Sequence, residues 1–109
     1  VDQTRFRTGI ALMVLGGGVY VAAALDTSNT LYAIAIALFG LGLLVHLTDP
    51  LMYSNPLVAI GLILAIASSF TDAALTATSN TGTPTAVAFA GIVAGVVIAA
   101  AARALAKKP

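Results

Sequence analysis

"PTAVAFAGIVAGVVIAAAARAL" fills residues 84–105, and no charge interrupts it before Arg103. A helix rises about 1.5 Å per residue, so a hydrocarbon core of about 30 Å takes about 20 residues to cross. The stretch has that length. It carries no polar stripe, and a helix apolar all round is buried in protein or in lipid. Three more runs share these properties: "TGIALMVLGGGVYVAAAL" at 8–25, "LYAIAIALFGLGLLVHL" at 31–47 and "PLVAIGLILAIASSFTDAAL" at 56–75. A chain of 109 residues holds too little other protein to bury four such helices, so lipid is the environment left. In lipid only helices and closed barrels satisfy the backbone, and continuous rather than alternating apolar runs argue against a barrel. The expected fold is all-α, one transmembrane domain over residues 1–109 with four transmembrane helices.

Composition agrees. Hydrophobic residues make up 60% of the chain and charged residues 8%, where a soluble domain carries about 25% charged. Mean hydropathy is +1.04. With no cysteine there is no disulfide, thiolate metal site or cysteine nucleophile. The basic residues all lie near the two ends: Arg5, Arg7, Arg103, Lys107 and Lys108. Four spans put both termini on one side, and the positive-inside rule makes that side cytoplasmic or internal. The basic "RALAKKP" at the C-terminal end suits anionic lipid. Residues 8–25 have some features of a secretory leader, two preceding arginines and "VAAAL", but are expected to stay as the first span.

The ends of the runs carry local signals. Pro56 and Pro84 suit the first turn of a helix, where a missing N–H costs nothing, and Asn55 or Thr83 can cap those starts. Asp49-Pro50 should break the second helix, leaving Leu51, Met52 and Tyr53 in the interface. The tetrapeptide "TSNT" occurs at 27–30 and again at 78–81. At a shift of 50 or 51, "IALMV" (10–14) also falls on "IGLIL" (60–64). Two tandem helical hairpins related as parallel repeats would explain this. So would the general preference of short turns for Thr, Ser and Asn.

Lipid tails are as apolar as leucine, so helices associate in membranes by close packing of small residues. Such stripes occur as Gly91-x-x-x-Gly95-x-x-x-Ala99, Gly61-x-x-x-Ala65-x-x-x-Ser69, Gly18-x-x-x-Ala22 and Ala33-x-x-x-Ala37. They suggest a tight bundle, a lateral homo-oligomer, or a place in a larger membrane-protein complex. Gly91 and Gly95 form the contact face chosen here.

Chemistry is sparse. Ionisable groups within spans are the usual pointers to function. Asp72, with Ser68, Ser69 and Thr71 beside it, could hold a cation or a proton. The competing expectation, and the favoured one, is that it lies at headgroup level where the third span ends. His46, at the end of the second span, could ligate haem or quinone, though a lone terminal histidine more often serves as a polar tip. The single histidine and the absence of a soluble pocket leave no Ser/His/Asp constellation. There is no metal-ligand spacing, phosphate-binding loop or nucleic-acid patch. No cofactor and no metal are expected.

Four spans in about this length resemble the small multidrug resistance transporters. That family carries a coupling glutamate in its first helix, and this first span has only Gly, Ala, Val, Leu, Ile, Met, Thr and Tyr. Close membership is therefore excluded. The preference for Asp over Glu and the Ala/Gly/Thr/Val-rich composition look like membrane proteins of halophilic archaea. Those organisms and their viruses carry small four-span proteins, virion membrane proteins among them. The expected function is structural or accessory rather than enzymatic, with a small ion or solute transporter or channel using Asp72 as the alternative.

Overall fold

The computed structural model describes residues 3–49 and 55–106. Helix α1 spans Gln3–Asp26, α2 Asn29–Leu47, α3 Pro56–Ala77 and α4 Thr83–Ala106. All four are long and apolar enough to cross a membrane, and the described residues contain no strand. The helices run somewhat beyond the apolar runs because polar residues continue their outer turns. Helix α2 ends at Leu47 with Thr48 as its C-cap, just before Asp49, whereas Pro50, Leu51, Met52 and Tyr53 lie outside the described residues.

Each boundary has a local cause. Asn55 accepts the Leu57 N–H at 2.9 Å ahead of Pro56, so α3 starts on a side-chain cap followed by a proline. Asn55→Ala is expected to cost about 1 kcal/mol, read as a lower unfolding midpoint in detergent, with Asn55→Asp keeping most of it. Helix α4 does not use Thr83 as its cap, because Thr83 is already helical. Gly82 holds that position at φ 106°, its carbonyl accepts from Ala86 N–H, and Thr85 Oγ1 reaches back to Gly82 N–H at 3.1 Å.

The two "TSNT" copies are set differently. In the first, Thr27 takes the left-handed conformation at φ 51° and Ser28 caps α2 by accepting from Leu31 N–H. In the second, Ser79 is the left-handed residue at φ 61°. Ser79 N–H donates to Thr76 O and Asn80 N–H to Leu75 O, the paired bonds of a Schellman ending. The same four letters therefore close a helix one position apart, as common turn chemistry allows.

The helices alternate in direction, and each packs on the next in chain order: α1 on α2, α2 on α3, α3 on α4. One end of the bundle, the terminal end, holds the start of α1, the end of α2, the start of α3 and the end of α4. The other, the turn end, holds both short turns. Glycine sets the approaches. A Cβ at Gly42 would sit 2.6 Å from Gly9 O, and one at Gly16 would sit 2.8 Å from Ala35 O. A Cβ at Gly61 would sit 2.6 Å from Gly95 O, and one at Gly95 would sit 2.5 Å from Ala65 N. These are backbone-to-backbone contacts that only residues without a side chain permit. The apolar core gathers toward the terminal end, where Leu43, Val58, Leu62, Ala99 and Ala102 meet, with Met13 of α1 against them. Helices α1 and α4 do not pack along their length. They come together at the terminal end, where the Arg103 guanidinium lies 5.8 Å from the Phe6 ring centre. The bundle is closed there and open along the α1–α4 seam toward the turn end, and its cross-section is flattened to 27 × 18 Å.

Candidate functional site

Asp72 lies on the inner face of α3, 3% exposed. Helix α3 runs on to Ala77, more than a turn beyond it. The carboxylate thus faces the inside of the bundle, near the end of the third span. Thr76, one turn on, donates its Oγ1–H to Asp72 Oδ1 at 3.3 Å. Side-chain hydrogen bonds in membrane proteins average about 0.6 kcal/mol, and this one joins two residues of a single helix. It orients the carboxylate but ties no two helices together, so close packing carries the bundle.

Asp72 opens on a cleft of about 380 Å³ at the turn end. Its walls come from all four helices: Tyr20 of α1, Asn29 and Tyr32 of α2, Thr76 of α3, Thr85 and Phe89 of α4. Tyr20 and Tyr32 meet edge to face with ring centres 5.1 Å apart, an arrangement the ring quadrupoles favour. A second, almost wholly apolar cleft of about 410 Å³ adjoins it along the α1–α4 seam, and the two share Tyr20, Ile36 and Phe89.

Of the residues singled out beside Asp72, Ser69 shares its inner face. It is 0% exposed, it lies against Gly40 of α2, and its Oγ has no hydrogen-bond partner. Ser68 instead packs on Gly91 of α4, and Thr71 is exposed. The hydroxyls nearest in sequence are thus not the ones that line the cleft. Tyr20, Tyr32, Thr76 and Thr85 line it, and only the bundle's topology brings them together.

His46 is 5% exposed, its ring stacked obliquely on Phe6 with centres 5.4 Å apart. Gly9 makes room for it: a Cβ there would sit 2.7 Å from His46 Cε1. Nδ1 is buried without a hydrogen-bond partner among the described residues. The ring is thus packed against α1 at Phe6 and Gly9. Nearby, Arg5 Nη1 donates to Thr48 O at 2.7 Å, so the terminal end gathers basic groups.

The small-residue stripes fall on two kinds of surface. Gly61, Ala65, Gly91, Gly95 and Ala99 lie in the α3–α4 interface. Gly18 does not contribute within the bundle, because a Cβ there would meet nothing within 4 Å. The glycine of that run that touches α2 is Gly16. In α2 the close approaches are made by Gly40 and Gly42, and Ala35 rather than Ala33 or Ala37 is fully buried.

Fold and site together define a small all-helical protein with four candidate membrane spans, the architecture of an integral membrane protein, with one carboxylate enclosed at its turn end. No described protein family, characterised protein or solved structure matches the chain.

Proposed function

We propose that this chain is a small integral membrane component with a structural or accessory role. It assembles laterally into a homo-oligomer or a larger complex of a cell membrane or virion envelope, with both termini on the cytoplasmic or internal side. The supporting observation is the outer face of α1. Ala11, Val14, Gly18, Ala22 and Leu25 recur at helical spacing and are all exposed. Small residues on such a face let another helix approach closely in lipid. No catalytic role is assigned.

Gly18→Ile tests this. The position is open in the single bundle, so the thermal midpoint in detergent should stay near wild type. Assembly should fall to a smaller species in size-exclusion chromatography with light scattering, and any co-purifying partner should be lost. An unchanged assembly in this variant would remove the proposal.

A second function is favoured by the enclosure of Asp72 in a cleft lined from all four helices: binding or movement of an ion or small solute. Ionisable groups so placed are costly and mark such sites. It is compatible with the first, because the cleft and the outer face of α1 are different surfaces.

A further inference from the structure

The cleft at Asp72 and the apolar cleft beside it adjoin through the shared walls Tyr20, Ile36 and Phe89, a groove with unlike ends. At one end is a carboxylate with a single side-chain hydrogen bond among the described residues, although an ionised carboxylate offers about four acceptor sites. At the other are Gly16, Gly17, Ile92, Val93 and Val96, with no polar group. Between them stand the aromatic rings of Tyr20 and Phe89, common to both.

We propose that this groove is a lateral binding site for one amphiphilic organic cation. Its charged head lies at Asp72 and its apolar body in the α1–α4 seam. The proposal rests on the reading of the Asp72 cleft as a binding site and names the ligand that site takes.

The sign of the charge follows from where the bases are. Every Lys and Arg of the chain lies near its two ends, whereas the turn end carries Asp26 and Asp72. Asp72 is 16 residues past the start of α3, about 24 Å along the helix from the terminal end. Among the described residues no cation is therefore at hand to neutralise it. A hard metal ion would want six or more oxygens, or a cluster of acidic ligands. The described residues contain no group of three or more His, Cys, Asp or Glu that could hold one. An ammonium head is satisfied by less: one carboxylate and the faces of aromatic rings, and Tyr20 and Tyr32 stand together at that place.

The body of the ligand follows from the seam. Together the clefts give about 380 and 410 Å³, within the usual range for sites that hold small molecules. The seam exists because Gly17 puts no side chain into it and because α1 and α4 do not pack along their length. It opens sideways, toward lipid in a spanning protein, so an amphiphile already partitioned in the bilayer can enter it without crossing water.

The test uses the full chain in nanodiscs of zwitterionic lipid, with radiolabelled decyltrimethylammonium as the probe and decyl sulfate and ²²Na⁺ as comparisons. Saturable binding of one probe per chain is expected, not displaced by decyl sulfate. Asp72→Asn should weaken it about tenfold or more, because a charge-assisted contact is lost, and Asp72→Glu should restore most of it. Gly17→Leu should also weaken it by filling the seam, where a side chain meets no protein atom. This second variant decides the matter if Asp72→Asn does not fold. Binding that is equal in wild type and both variants is partition into lipid and overturns the proposal. Saturable ²²Na⁺ binding lost in Asp72→Asn, without probe binding, overturns the ligand class and leaves the Asp72 site standing. Binding of neither overturns both.

Discussion

Gly95→Ile is expected to unfold or grossly loosen the bundle. Position 95 faces α3 at its closest approach, where a Cβ would lie 2.5 Å from both Ala65 N and Gly61 O. Those are backbone atoms, so no side chain can rotate away, and α4 must back off as a whole. Backing off separates Gly61 from Ala99 and Ser68 from Gly91 as well, since all belong to one interface. Overpacking usually costs about 1–3 kcal/mol, and the backbone clash sets this case at or above the upper end. Thermal unfolding in mild detergent, followed by circular dichroism, should show a large fall in midpoint or no cooperative transition. Even Gly95→Ala should destabilise, because its single methyl meets the same atoms. Gly17→Ala should not: it meets nothing within 4 Å and removes a helix-interior glycine costing about 1 kcal/mol. A wild-type midpoint for Gly95→Ile would refute the close approach of α3 and α4.

Gly42→Leu should do comparable damage to the other hairpin. A Cβ at Gly42 would lie 2.6 Å from Gly9 O and 3.0 Å from Met13 N, both in the backbone of α1. The contact is reciprocal, because a Cβ at Gly9 would lie 2.9 Å from Gly42 O. Pushing α1 off α2 would also uncover His46, whose ring fits only because Gly9 has no side chain. A loss of about 3 kcal/mol is expected. Cysteine pairs placed across the two helices near this contact should cross-link readily in wild type and poorly in Gly42→Leu. Equal cross-linking would show that α1 does not rest on α2 here.

The sequence made the spans plain, since runs of that length without charge have few alternatives. On α3 and α4 the contact face coincides with Gly61, Ala65, Gly91, Gly95 and Ala99, where small residues recur every fourth position between larger ones. On α2 the small residues are spread over Ala33, Ala35, Ala37, Gly40 and Gly42, and spacing alone could not say which faced α1 and which α3. Gly16, Gly17 and Gly18 pose the same problem: three adjacent glycines point in three directions, and only the packed bundle separates them. Asp72 was visible as a carboxylate in an apolar run. Its surroundings were not, because Tyr20, Tyr32 and Thr85 are distant in sequence and converge only when four helices stand side by side.

Every extensive interface here joins helices that are neighbours in the chain. Contact order is therefore low, and low contact order favours fast folding. As the chain leaves the ribosome, α1 and α2 can pair before α3 exists, and α3 can add to α2 before α4 is made. No span has to wait unpaired for a distant partner. The contact of Phe6 with Arg103 is of another kind, since it links the two ends of the chain and can form only once synthesis is nearly finished.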